Sequence, residues 1–318
     1  MRRRYLCGAL VGVLAVVGAM TTAWAASAAP STSQAQARPS VMRPFTGKPS
    51  KPARPKRSSN LYYHGGVGGI GVETAPKVYL VAWGSQWGTN GSNDPSGEVG
   101  ILQNFFGHVG GSSWLNSVTQ YCQGVASGTT SCGSSGQQAG NPTGISGGAT
   151  WFDSSAAPSH PTQSQLAAEA VRAAAHFGNT TAGSNASVQY VIATATGNSS
   201  SGFQTQYCAW HSSTSGYGEI AYTNLPYITD AGASCGANFV NGGSAGTKDG
   251  ITIVEGHELA ETITDQFPNG GWLDGSGAEN GDKCAWNSAT SNQNLGGASY
   301  PVQPLWSNAS SSCVLAYP

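Results

Sequence analysis

Beyond residue 58 the chain alternates between short apolar runs and stretches with helical spacing. Lys77-Val-Tyr-Leu-Val-Ala-Trp83 is β-branched and aromatic and is stopped by Gly84, so it predicts a buried strand. Ser187-Val-Gln-Tyr-Val-Ile-Ala-Thr194 predicts a central strand, and Glu219-Ile-Ala-Tyr222 another. Between them the period lengthens. Glu98 to Tyr121 contains helical stretches with Ile101, Leu102, Phe105 and Phe106 on one stripe. Ser164 to Phe177 is the clearest amphipathic helix, with Thr162 or Ser164 as cap and Gly178 as stop. Residues 123–163 are rich in Gly, Ser, Thr and Pro and read as loop. Strands alternating with helices predict an α/β or α+β fold, a central mixed sheet flanked by helices. Residues 59–318 are long enough for one globular domain.

The N-terminus has a different pattern. Arg2, Arg3 and Arg4 precede an apolar run from Leu6 to Met20, and Ala23-Trp24-Ala25 forms a small-residue cleavage site, with Ser27-Ala28-Ala29 as a second. Residues 1–29 therefore predict a cleaved signal peptide, and the run is too short for a membrane span. Residues 30–58 interleave prolines with basic residues, as a linker or pro-segment does. Lys56-Arg57 is a candidate processing site, and the basic residues offer contact with an anionic wall polymer.

Charge sharpens this division. The 14 Lys+Arg and 15 Asp+Glu give a formal charge of −1, yet every acid lies beyond residue 58 and only four bases do: Lys77, Arg172, Lys248 and Lys283. An acidic globular domain is a poor partner for nucleic acid. Charged residues make up 9% of the chain, against ~25% in ordinary globular proteins. With Cys7 assigned to the signal peptide, six cysteines remain: Cys122, Cys132, Cys208, Cys235, Cys284 and Cys313. They fall into three local couples, so sequential pairing into three disulfides is expected of an exported protein. None forms a C-x-x-C pair, which argues against a cysteine-bound metal.

Seven of the 15 acids lie between Glu255 and Asp282. On the helix predicted within Gly250–Asp265, His257 and Glu261 fall within about 40° of one another, one turn apart, with Glu258 beside them. That is the layout of an H-E-x-x-H metallopeptidase helix with glutamate in place of the second histidine. Zinc accepts both imidazole nitrogen and carboxylate oxygen, and Glu258 is then the candidate general base. A Gly-rich return brings Glu279, the first choice for third ligand, and Asp282, the second. Asp265 is too far along the helix to share an ion with His257 and is expected to orient neighbours or close the helix end. Oxygen ligation of calcium by Asp274, Glu279 and Asp282 is the alternative. His211, in Cys208-Ala-Trp-His211, is a candidate transition-state stabiliser or supplementary ligand, or a packed histidine.

Gly256-His-Glu-Leu-Ala-Glu-Thr-Ile-Thr-Asp265, Trp272 and Glu279-Asn-Gly-Asp-Lys-Cys284 resemble a group of secreted actinobacterial proteins and, more distantly, the plant phosphate-induced, EXORDIUM-like family. Tyr62-Tyr-His64-Gly-Gly, Trp114 to Tyr121 and Cys208-Ala-Trp-His211 fit the same resemblance, which covers most of 60–286. It implies an extracellular, wall-associated role without a defined reaction. The H-E-L-A-E core is similar to a zincin helix. The leading expectation is a secreted zinc hydrolase of extracellular peptides or proteins: His257, Glu261 and Glu279 bind the metal, and Glu258 and His211 serve catalysis. A non-catalytic wall protein with a calcium-binding or structural acidic cluster is the alternative. Glycoside hydrolysis by Glu258 and Glu279 is a third reading. No nucleic-acid partner, and no membrane contact after signal cleavage, is expected.

Overall fold

The computed structural model describes residues 37–47 and 60–318. The signal-peptide expectation and Lys56-Arg57 lie outside them. Six strands form the main sheet: β1 (Ser40–Met42), β2 (Lys77–Trp83), β3 (Trp151–Asp153), β4 (Val188–Thr194), β5 (Ala209–Ser215) and β6 (Glu219–Leu225). Their order is β1-β5-β6-β4-β2-β3. β6, β4, β2 and β3 run parallel, while β5 pairs antiparallel with both β6 and β1. The sheet is therefore mixed, and the fold is α/β.

The two strands at the centre are the ones the sequence announces most clearly. Every residue of β4 is buried, as is all of β2 except Lys77. Strands covered on both faces read as continuous apolar runs. Helix α1 (Glu98–Val109) buries Leu102, Phe105 and Phe106. Helix α2 (Gln163–His176) starts with a capping box: Thr162 accepts from the Gln165 amide while the Gln165 side chain accepts from the Thr162 amide. Helix α3 (Asp249–Thr264) is buried at all 16 positions. A helix carrying Asp249, Glu255, His257, Glu258 and Glu261 would ordinarily turn a polar face to water. This one is enclosed instead.

Successive side chains on a strand point to opposite faces. On β5, Ser212 meets Gln163 of α2, whereas His211 meets Glu261 of α3. The two helices thus cover opposite faces, and the face bearing His211 receives α3.

Two regions depart from the sequence expectation. Residues 37–47, which composition assigns to a linker, supply edge strand β1, with Ser40 opposite His211. Met42 is fully buried, and Phe45 meets Phe239 edge to face at 5.1 Å. Met42 and Phe45, with the pairing to β5 and hydrogen bonds to Ser234 and Trp286, anchor a segment whose average composition is polar. Trp151–Asp153, inside the stretch expected to be loop, forms β3 at the other edge. The disulfides pair sequentially, as expected: Cys122–Cys132, Cys208–Cys235 and Cys284–Cys313. Among the described residues, no helix is long and apolar enough to cross a membrane.

Candidate metal centre

Helix α3 presents His257 and Glu261 from adjacent turns, and its end delivers the rest of the site. Asp265, the residue after the helix, accepts from the amides of Asn269, Gly270 and Gly271 and so turns the chain sharply. Asp265 is also the residue at which the helix ends, its amide donating to the Glu261 carbonyl at 2.7 Å, so it both closes the helix and orients the neighbours that follow. Gly271 sits where a Cβ would lie 2.2 Å from the Thr264 carbonyl oxygen, so no larger residue fits the turn. Trp272–Leu273 then pairs with Tyr62–Tyr63. Asp274 caps the following turn and accepts from Lys283 Nζ at 2.8 Å. Burial works against its charge, but Lys283 and Ser276 hold its pKa down to about 2. Asp274 is thereby committed to Lys283 and stands in neither ligand group of the cluster.

The return passes directly over the helix. A Cβ on Gly281 would lie 2.9 Å from both Glu261 Oε1 and His257 Nδ1. The Asp282 amide donates to Glu261 Oε1 at 2.8 Å. Two groups of metal-binding type result, and Glu261 belongs to both. In one, His257 Nε2 lies 3.0 Å from Glu261 Oε1 and 3.8 Å from Asp282 Oδ1. In the other, His211 Nε2 lies 3.0 Å from Glu279 Oε2 and 3.6 Å from Glu261 Oε2. The structure therefore joins His257 and Glu261 with Asp282, and sets Glu279 beside His211 and Glu261. His211, from β5, completes a cluster whose other members come from α3 and its return.

Many of these atoms lack hydrogen-bond partners. His257 Nε2 approaches Glu261 Oε1 outside hydrogen-bond geometry, and Glu261 Oε2, Glu279 Oε1 and both Glu258 oxygens are buried without partners. The buried Gln303 side chain orients His257. Its Nε2 donates to the Gly281 carbonyl at 2.8 Å, which turns its Oε1 towards His257 Nδ1 at 3.3 Å. The proton then belongs on Nδ1, and Nε2 is left as a ligand nitrogen. Ser40, from the edge strand, donates to Glu279 Oε2 at 2.5 Å.

Electrostatics shows what the cluster requires. Burial opposes a charge on either histidine, but Glu279 and Glu261 hold His211 well above its ordinary range, and Glu261 does the same for His257. Burial opposes ionisation of Glu261 too, yet the two histidines hold its carboxyl well below the usual range. Glu258, Glu279 and Asp282 are pushed up, chiefly by burial and, for the last two, next by the Glu261 charge. With protons alone the cluster stays buried only by sharing them. A divalent cation can replace those protons, because metal ligands bind deprotonated. The donor set of two imidazoles with carboxylates, holding unpartnered buried lone pairs, fits such an ion.

A cleft of about 440 Å³ opens onto this cluster, lined by Arg38, Ser40, Leu273, Glu279 and Asp282 among others. Asp282, at 25% side-chain exposure, connects cluster and cleft, whereas the side chains of Glu261 and both histidines are fully buried. Ser40 and Gln303 gave no signal in sequence. Ser40 lies in a Pro/basic segment, and Gln303 is an isolated amide near the C-terminus. Comparison of the chain with family models, with curated proteins and with solved structures gave no match.

Proposed function

We propose that the chain is a secreted, metal-dependent hydrolase of peptide bonds, with His257, Glu261 and Asp282 holding a zinc ion at the floor of the cleft. The observation that carries this reading is the convergence of these side chains from a buried helix and its return, with metal-binding atoms left unpartnered. Imidazole in each group favours zinc over calcium, which prefers an all-oxygen shell. A cation bound there supplies Lewis acidity towards a carbonyl oxygen. Glu258 stands next to His257 on α3, buried, with both carboxylate oxygens free of hydrogen-bond partners and so available to take a proton. It is the general base. Gln303 fixes the tautomer of His257, and Gly281 lets the return approach closely enough for Asp282 to reach the cluster. Ser40 and Val41 of edge strand β1 line the cleft, and a sheet edge is where an extended peptide can add. Three disulfides support an extracellular setting.

Cleavage of casein and of an unstructured peptide library by the purified full-length chain tests this reading. Activity lost to a chelator, restored by zinc and reduced about 10²–10⁴-fold in Glu258→Gln is expected. A Glu258→Gln protein as active as the parent, or a zinc-loaded protein inert on every peptide, would overturn it.

A further inference from the structure

The two ligand groups share one carboxylate without sharing an oxygen. Oε1 of Glu261 faces His257 and Asp282, and Oε2 faces His211 and Glu279. From this we infer that the cluster is a two-cation site bridged by Glu261, with the second ion held by His211, Glu279 and Glu261 Oε2. The inference rests on the metal reading above and extends it to a second ion.

Three observations support the extension. The first is spacing. Donors about 2.0–2.2 Å from a tetrahedral ion stand roughly 3.3–3.6 Å from each other. The nitrogen-to-oxygen distances are 3.0 and 3.8 Å in the first group and 3.0 and 3.6 Å in the second, and the ligand atoms of each group all lie within 4.8 Å of one another, so each group stands close to the spacing that one ion requires. A carboxylate that offers one oxygen to each of two ions is the usual bridge between metals roughly 3.5–4 Å apart.

The second observation is charge. Glu258, Glu261, Glu279 and Asp282 crowd this region, and among the described residues no lysine or arginine pairs with any of them. The only counter-charges within reach among the described residues are the two imidazoles, so the cluster is held together by shared protons. One dication in the first group leaves Glu279 with His211 as its sole counter-charge, and a second dication takes the place of the proton those two share.

The third is the set of unpartnered atoms, which falls on both sides of the bridge. His257 Nε2 lacks a partner on one side; on the other, His211 Nε2 is hydrogen-bonded to Glu279 Oε2, while Glu279 Oε1 and Glu261 Oε2 lack a partner. A single ion in the first group would leave the second set unused.

The test uses the full-length, disulfide-bonded chain stripped with chelator and retitrated with manganese(II), followed by paramagnetic resonance, with zinc uptake measured in parallel by elemental analysis. Two equivalents per chain and the spectrum of a spin-coupled manganese pair are expected. His211→Ala and Glu279→Gln are each expected to take up one equivalent and give the spectrum of an isolated ion. Glu279→Gln preserves shape, and its thermal melt separates ligand loss from misfolding. A parent that binds one equivalent, unchanged in either variant, would overturn the second ion while leaving the first standing. A parent that binds none would overturn both.

Discussion

The return that carries Glu279 and Asp282 is tied at its far end by Cys284–Cys313, and removing that tie has a calculable cost. The two cysteines are separated by 29 positions. A crosslink closing a loop of that length removes about 12 cal/mol/K from the unfolded chain, or about 3.6 kcal/mol at 25 °C. For a domain of this size that corresponds to roughly 7–14 °C in Tm. The folded state keeps other ties: Trp306 donates to the Asn280 carbonyl at 2.9 Å, and Lys283 Nζ lies 4.4 Å over the Trp306 ring. The doubly substituted Cys284→Ala/Cys313→Ala chain should therefore fold, with Asp282 close to its place. Urea denaturation in excess chelator isolates the effect, because no cation then adds its own linkage. The expected result is a loss of about 3–4 kcal/mol with a larger m value, since the freed unfolded chain exposes more surface. A loss below about 1 kcal/mol with an unchanged m value would refute the chain-entropy reasoning.

Other consequences follow from single side chains. Met42→Ala should cost about 2–5 kcal/mol in the same denaturation assay, because Met42 is fully buried; an unaltered midpoint would return residues 37–47 to the role of a linker. Gly281→Ala places a methyl 2.9 Å from Glu261 Oε1 and His257 Nδ1, so zinc affinity measured by competition should fall at least about tenfold, the equivalent of roughly 1.4 kcal/mol. Burial pushes the Glu73 carboxyl up to about 8, only partly offset by the hydrogen bond from Gln189. Its folded pKa exceeds its unfolded one, so the unfolded chain loses this proton first and stability falls as pH rises from about 4.5 to about 8. Glu73→Gln should flatten that part of the stability–pH profile, and a slope equal to the parent's would contradict the assignment.

What could be read from sequence follows the physics of each element. β2 and β4 were legible because strands buried on both faces are largely apolar, and α2 because it keeps a wet face and a capping box. β5 was not, since Ala209-Trp-His-Ser-Ser-Thr-Ser215 satisfies its burial with hydroxyls and an imidazole, and no hydrophobic period marks it. The same strand supplies His211, so half of the candidate site depended on an element without a sequence signature. The i,i+4 geometry of His257 and Glu261 was legible because it is local to one helix. Whether Glu279 or Asp282 lies against that pair was decided by the path of the return, fixed by Asp265, Gly271 and Gly281. Spacing carries no information about that path. The enclosure of α3 was likewise hidden, because a helix rich in acids ordinarily keeps a face in water and nothing local shows that β5 and β1 pack against it.

The role proposed for these buried side chains is to hold a cation. Anomalous scattering at the zinc absorption edge, from crystals of the full chain grown with zinc, tests it most directly. Strong peaks are expected within about 2.0–2.2 Å of His257 Nε2 and of His211 Nε2, on either side of Glu261. Anomalous density confined to the protein surface, with Glu261 still flanked by two bare imidazoles, would contradict it.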